Sequence, residues 1–123
     1  MKIAEYTSED IKDLIYTVRG KQVMLDSDVA KLYNCETKYV NRVVKRNIER
    51  FPEEFCFQLE QEEFQNLRCQ FVTSSFEKQN YGGRRYMPYV FTEQGIAMLS
   101  ALLKSEIAVN VSIQIMKAFI DMR

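Results

Sequence analysis

Histidine is absent from this 123-residue chain. Without it, an imidazole general base and a Ser-His or Cys-His nucleophile pair within one polypeptide are excluded. Cysteine is scarce. Cys35, Cys56 and Cys69 are odd in number, widely spaced and contain no CxxC pair, so neither a disulfide framework nor a zinc site is expected, and the thiols fit a reducing cytosol. No run approaches the ~20 apolar residues that span a bilayer, and the opening MKIAEYTSED lacks the apolar core of a secretory signal. A cytoplasmic chain with no membrane partner and no cofactor is the expectation. Excess charge is missing as well, since 17 basic and 17 acidic residues cancel. No whole-molecule field draws the chain to a polyanion, so a charged partner has to be met by a patch.

What is present is a globular composition, 46% hydrophobic and 28% charged, sufficient for a single domain over residues 1–123 with its own core. The patch lies at residues 37–51, TKYVNRVVKRNIERF. Read as one helix stopped by Phe51-Pro52, it gathers Val40, Val43, Val44, Ile48 and Phe51 on one side. Lys38, Asn41, Arg42, Lys45, Arg46 and Glu49 surround the other. Five basic residues against one acid between Thr37 and Arg50 give it a charge of +4 in a neutral chain.

The flanking segments give this helix a setting. Thr7 and Ser8 precede Glu9 and Asp10, as at the start of a short helix. Two β-prone runs around Arg19-Gly20-Lys21 predict a hairpin with Gly at the first central position of its turn. Asp26, Ser27 and Asp28 offer N-cap chemistry to a two-turn helix that Asn34 can end in the left-handed conformation, and Thr37 is placed to cap the basic helix. Phe55, Phe57 and Leu59 alternate with polar or small residues, as in a strand buried on one face, and a short helix follows with Phe64 and Leu67 inward. Residues 73–85 read as a long polar loop, and Tyr86 to Phe91 as a strand whose Pro88 puts it at an edge or a strand start. Thr92 and Ser105 start the last two helices. The final helix has Ile107, Ala108, Val111, Ile115, Phe119 and Met122 on one stripe and Val109, Ile113, Met116 and Ile120 beside it. That is wider than one contact surface needs, so this helix is expected in the core or against another chain, as in a homodimer. The chain closes on Asp121-Met122-Arg123 without a capping glycine, and continuation of the natural protein past Arg123 is expected.

The fold class that results is α+β: a helix-turn-helix-like pair, short antiparallel strands with a hairpin, and two C-terminal helices. Lys and Arg on an exposed helix neutralise phosphates, and Asn and Arg pair with base edges in the major groove. Arg42 and Asn41 are therefore the candidates for base readout, and Lys38, Lys45 and Arg46 for phosphates. The bland alternative is a solvated face paired with the acids between Glu53 and Glu63. Arg84 and Arg85, beside Gly82-Gly83, can form a second DNA contact or simply keep a surface loop soluble. Arg19 and Lys21 at the hairpin tip are weaker candidates. Asp26 with Asp28, or Glu62 with Glu63, are adjacent acids of divergent direction, so no catalytic or metal role is assigned.

Several separated stretches, RGKQVMLDSDVAKLY (19–33), VNRVVKRNIERFPEEFCFQL (40–59), LRCQFVTSS (67–75), GGRRYMPYVFTEQGIAMLSALLKSE (82–106) and VSIQIMKAFIDMR (111–123), occur in the order of a known family. Over about residues 15–123 the chain resembles the ORF-six N-terminal domain of phages and prophages, a relative of the KilA-N domains of large DNA viruses. The resemblance implies a small α+β DNA-binding module at the N-terminus of a longer, antirepressor-like regulatory protein. It carries over no single residue role. An alternative function is a protein-interaction module that binds a regulator or self-associates.

Overall fold

The computed structural model describes residues 6–70 and 87–123. The loop expected at 73–85, with Arg84 and Arg85, and the first residue of the strand expected at 86–91 lie outside those residues.

Thr7 opens α1 (Ser8–Lys12) with a reciprocal cap. Its hydroxyl accepts from the Asp10 N–H at 3.0 Å, and the Asp10 carboxylate accepts from the Thr7 N–H at 3.0 Å. β1 (Ile15–Val18) and β2 (Lys21–Leu25) form the expected hairpin, paired from Ile15↔Met24 to Val18↔Lys21. Its turn differs from the expectation, because Gly20 is the second central residue and both central residues have positive φ, 55° at Arg19 and 74° at Gly20. This is a type I′ turn, whose twist matches that of the strands. A non-glycine residue there costs about 1 kcal/mol, which the Arg19 side chain offsets. Its Nε and Nη2 donate to the Glu63 carboxylate at 2.7 and 3.0 Å, its Nη1 reaches Glu53 at 3.2 Å, and the guanidinium lies 4.2 Å from the Phe57 ring centroid.

β3 (Cys56–Gln58) and β4 (Tyr89–Phe91) complete an antiparallel sheet in the order β1-β2-β4-β3. β4 is an inner strand and not an edge; Pro88 stands just before it, where its carbonyl accepts from the Leu59 N–H at 2.9 Å and its missing N–H breaks no ladder. The register aligns Met24, Phe91 and Cys56 in one row and Leu25, Val90 and Phe57 in the next. The first row meets a layer of helices. The second meets α4 (Gln61–Gln70) through Phe64 and Leu67. Because the sheet is covered on both faces, the neighbours Cys56 and Phe57 are both buried, where alternation in the sequence suggested one buried face.

The helical layer holds α1, α2 (Asp26–Tyr33), α3 (Thr37–Arg46), α5 (Glu93–Leu103) and α6 (Glu106–Met122). The Thr92 hydroxyl caps α5 by accepting from the Gly95 N–H at 3.3 Å, and it donates to the Glu54 carbonyl at 2.7 Å. Gly95 permits this close approach, since a Cβ there would sit 2.0 Å from the Phe55 carbonyl oxygen. Ser105 caps α6 by accepting from the Ala108 N–H at 3.0 Å. The wide apolar surface of α6 is divided. Ala108, Val111, Ile115 and Phe119 are buried, and the buried Ser112 and Tyr33 hydroxyls hydrogen-bond at 2.5 Å. Ile107, Val109, Ile113, Ile120 and Met122 are exposed, so Ile107 and Met122 lie off the core side that their spacing suggested. Among the described residues, no helix is long and apolar enough to cross a membrane.

Candidate nucleic-acid interface

Residues 34–36 join α2 to α3. Asn34 ends α2 at φ 62°, ψ 47°, as expected of a short amide that tolerates the left-handed region. The helix starts depart from the expected capping. Leu25 precedes α2 and Glu36 precedes α3, both without a side-chain cap, so Asp26, Asp28 and Thr37 are first-turn residues. Asp26 and Asp28 are buried at the positive end of the α2 dipole. Burial pushes the Asp28 carboxyl up to about 6, an effect that Lys31 opposes and Asp26 reinforces.

α3 is anchored by Val40 and Val44, which are buried, with Val43 half-buried beside them. It is shorter than the expected helix. At Asn47 the backbone leaves the helical region (φ −130°, ψ 39°), and the side-chain amide donates to the Val43 carbonyl at 2.8 Å. A 3-10 turn over Ile48–Arg50 then carries the chain to buried Phe51, whose ring stands edge-on to Phe91 at 6.3 Å. The break turns Ile48 outward, 60% exposed, although a continuous helix would bury it. Tyr39 is also exposed. Both apolar side chains flank the basic row, and the sequence signalled neither, because their exposure depends on where α3 stops and how it lies on the core.

Lys38, Arg42, Lys45 and Arg46 are all exposed along the outer side of α3. Among the described residues none of the four makes an ion pair or a side-chain hydrogen bond. The acids that might have neutralised them are engaged elsewhere, Glu53 and Glu63 with Arg19. That contact holds the Glu63 carboxyl below its usual range, chiefly through the Arg19 hydrogen bond. It also ties up Arg19 as a hairpin-tip candidate.

Asn41 is placed differently from the other candidates. It is half-buried, and its Nδ2 donates to Asp26 Oδ2 at 3.0 Å, the same oxygen that accepts from the Tyr89 N–H at 3.2 Å. This corrects the expectation that it shares the outer surface with Arg42: its amide fastens α3 to α2 and to the start of β4. The other carboxylate oxygen of Asp26 and Oδ1 of Asn41 are buried without a hydrogen-bond partner among the described residues. The nearby thiols are not activated. Burial raises Cys35, and it pushes Cys56 up to about 12.

A family model described as the ORF6N domain matches residues 13–102. No curated protein and no solved structure gives a significant match.

Proposed function

The chain belongs to the ORF6N domain family, a phage-type regulatory domain, and from that premise we propose that it binds duplex DNA without catalysis, within a phage or prophage regulatory protein in the bacterial cytosol. The observation that carries the reading is the outer face of α3, four exposed cations with no partner among the described residues. Leaving four like charges adjacent on one helix is unfavourable by itself, and a polyanion relieves it. α2, the short turn and α3 act as a helix-turn-helix, with α3 entering the major groove. Arg42, at the middle of the row, reads a base edge, and Lys38, Lys45 and Arg46 hold phosphates. Asn41 drops out of readout and becomes the residue that sets the angle of α3. Arg84 and Arg85 stay as a second contact on sequence grounds alone. An antirepressor-like role that includes a protein partner is the second reading, favoured by the exposed apolar side of α6.

Binding to duplex DNA at several salt concentrations tests the first reading. Neutralising four to six phosphates gives a slope of log affinity on log salt of about −3.6 to −5.4. A flat response, or no binding at low salt, defeats it.

A further inference from the structure

α6 exposes one continuous apolar row beside its buried face. Val109, Ile113 and Ile120 are 46%, 48% and 51% exposed, and half-buried Met116 lies between them. Their spacing of four, three and four residues is that of the a and d positions of a heptad, the pattern of a helix seam and not of a helix lying on a sheet. Extended by one step in each direction, the row ends at exposed Glu106 and exposed Arg123. Opposite charges therefore close the two ends of an otherwise apolar stripe. A second copy of α6 laid antiparallel sets Val109 against Ile120, Ile113 against Met116 and Glu106 against Arg123, each contact occurring twice by the two-fold symmetry. A parallel copy sets Glu106 against Glu106 and Arg123 against Arg123. Arg123 also pairs with Glu93 in its own chain, and its five-donor guanidinium has capacity for both carboxylates.

We propose that the chain forms an antiparallel homodimer through the Glu106-Val109-Ile113-Met116-Ile120-Arg123 row of α6. The row spans roughly 25 Å of helix, so the pair belongs to the small, weak end of specific interfaces. The inference uses nothing from α3, so failure to bind DNA leaves it untouched.

The test is sedimentation equilibrium of the chain without DNA, from ~10 µM to ~1 mM, with circular dichroism to verify folding of each variant. The expected result is a reversible monomer–dimer equilibrium. Ile113→Glu, which puts a carboxylate into the seam twice, is expected to weaken it on the order of 100-fold. Val109→Lys, also on the exposed side, should do the same and decides the matter if Ile113→Glu unfolds. Glu106→Arg and Arg123→Glu are each expected to weaken the dimer by about 3–10-fold, and the double charge exchange to restore it. A chain that is monomeric across the range overturns the proposal, as does association that survives Ile113→Glu and Val109→Lys. Charge exchanges that change nothing singly overturn the antiparallel register.

Discussion

α3 and α6 are both amphipathic helices that bury one side in the same core, and they differ in what they show to water. α3 presents Lys38, Arg42, Lys45 and Arg46 with no partner among the described residues; α6 presents Val109, Ile113 and Ile120. A row of cations is stable in water and gains most from a dense anion, an attraction that salt weakens. An apolar row is unfavourable in water and gains from any dry, complementary surface, an attraction that salt leaves in place. The two helices thus predict opposite salt responses for two separable kinds of association.

The largest expected effect separates them. Arg42→Ala, Lys45→Ala and Arg46→Ala together should lower DNA affinity on the order of 1000-fold at low salt and flatten the salt slope by about 2.7. Sedimentation without DNA should be unchanged. If the triple variant also lost self-association, the two surfaces would not be independent.

The next tests concern the buried support behind α3. Asp28 is 3% exposed, and its carboxyl is raised from 3.8 to about 6 by burial. A folded-state value above the unfolded one means that the folded state holds the proton more tightly. Its contribution is complete below about pH 4 and is lost as pH rises through about 6. Asp28→Asn, which cannot ionise, should raise stability at pH 7 by up to about 3 kcal/mol and remove that part of the pH dependence. Denaturant titrations of both proteins at pH 4 and 7 measure it, and a difference that does not change with pH would show that Asp28 is not held neutral.

Asn41 sharpens the comparison from inside α3. Asn41→Ala leaves Asp26, 1% exposed, with one donor fewer, at a cost of about 2 kcal/mol in stability. DNA binding should weaken alike on all sequences, because the helix loosens without losing a base contact. Altered base preference at unchanged stability would put Asn41 back on the reading surface.

Asn41 also marks where the sequence stops being legible. Helical spacing assigned Lys38, Arg42, Lys45 and Arg46 correctly to the outside, and local chemistry located Asn34, Thr92 and Ser105 at helix ends, because each signal lies within a few residues. The partner of Asn41 is an aspartate 15 residues away, held in turn by an N–H 63 residues from it. No periodicity reports such a contact. For the same reason the insertion of β4 between β2 and β3, and the cover that α4 gives the second face, were invisible in the alternation of residues 55–59. The break at Asn47 is local, yet it follows from anchoring Phe51 on Phe91, again a long-range contact.

The smallest expected effect sets a paired arginine against the unpaired ones. Arg19 is spent on Glu53, Glu63 and Phe57 in a left-handed turn, so Arg19→Ala should cost about 1 kcal/mol of stability, since the pair is partly exposed and screened. Its DNA affinity should not change. Arg42→Ala should do the reverse, weakening DNA binding while stability stays within about 0.5 kcal/mol. Charge alone cannot produce that crossing, because both variants remove one positive charge from a neutral chain. Only the placement of the guanidinium, turned onto its own carboxylates or left open to a foreign anion, separates them. Equal DNA losses for both would extend the interface to the hairpin tip and make the contrast between the two arginines one of degree.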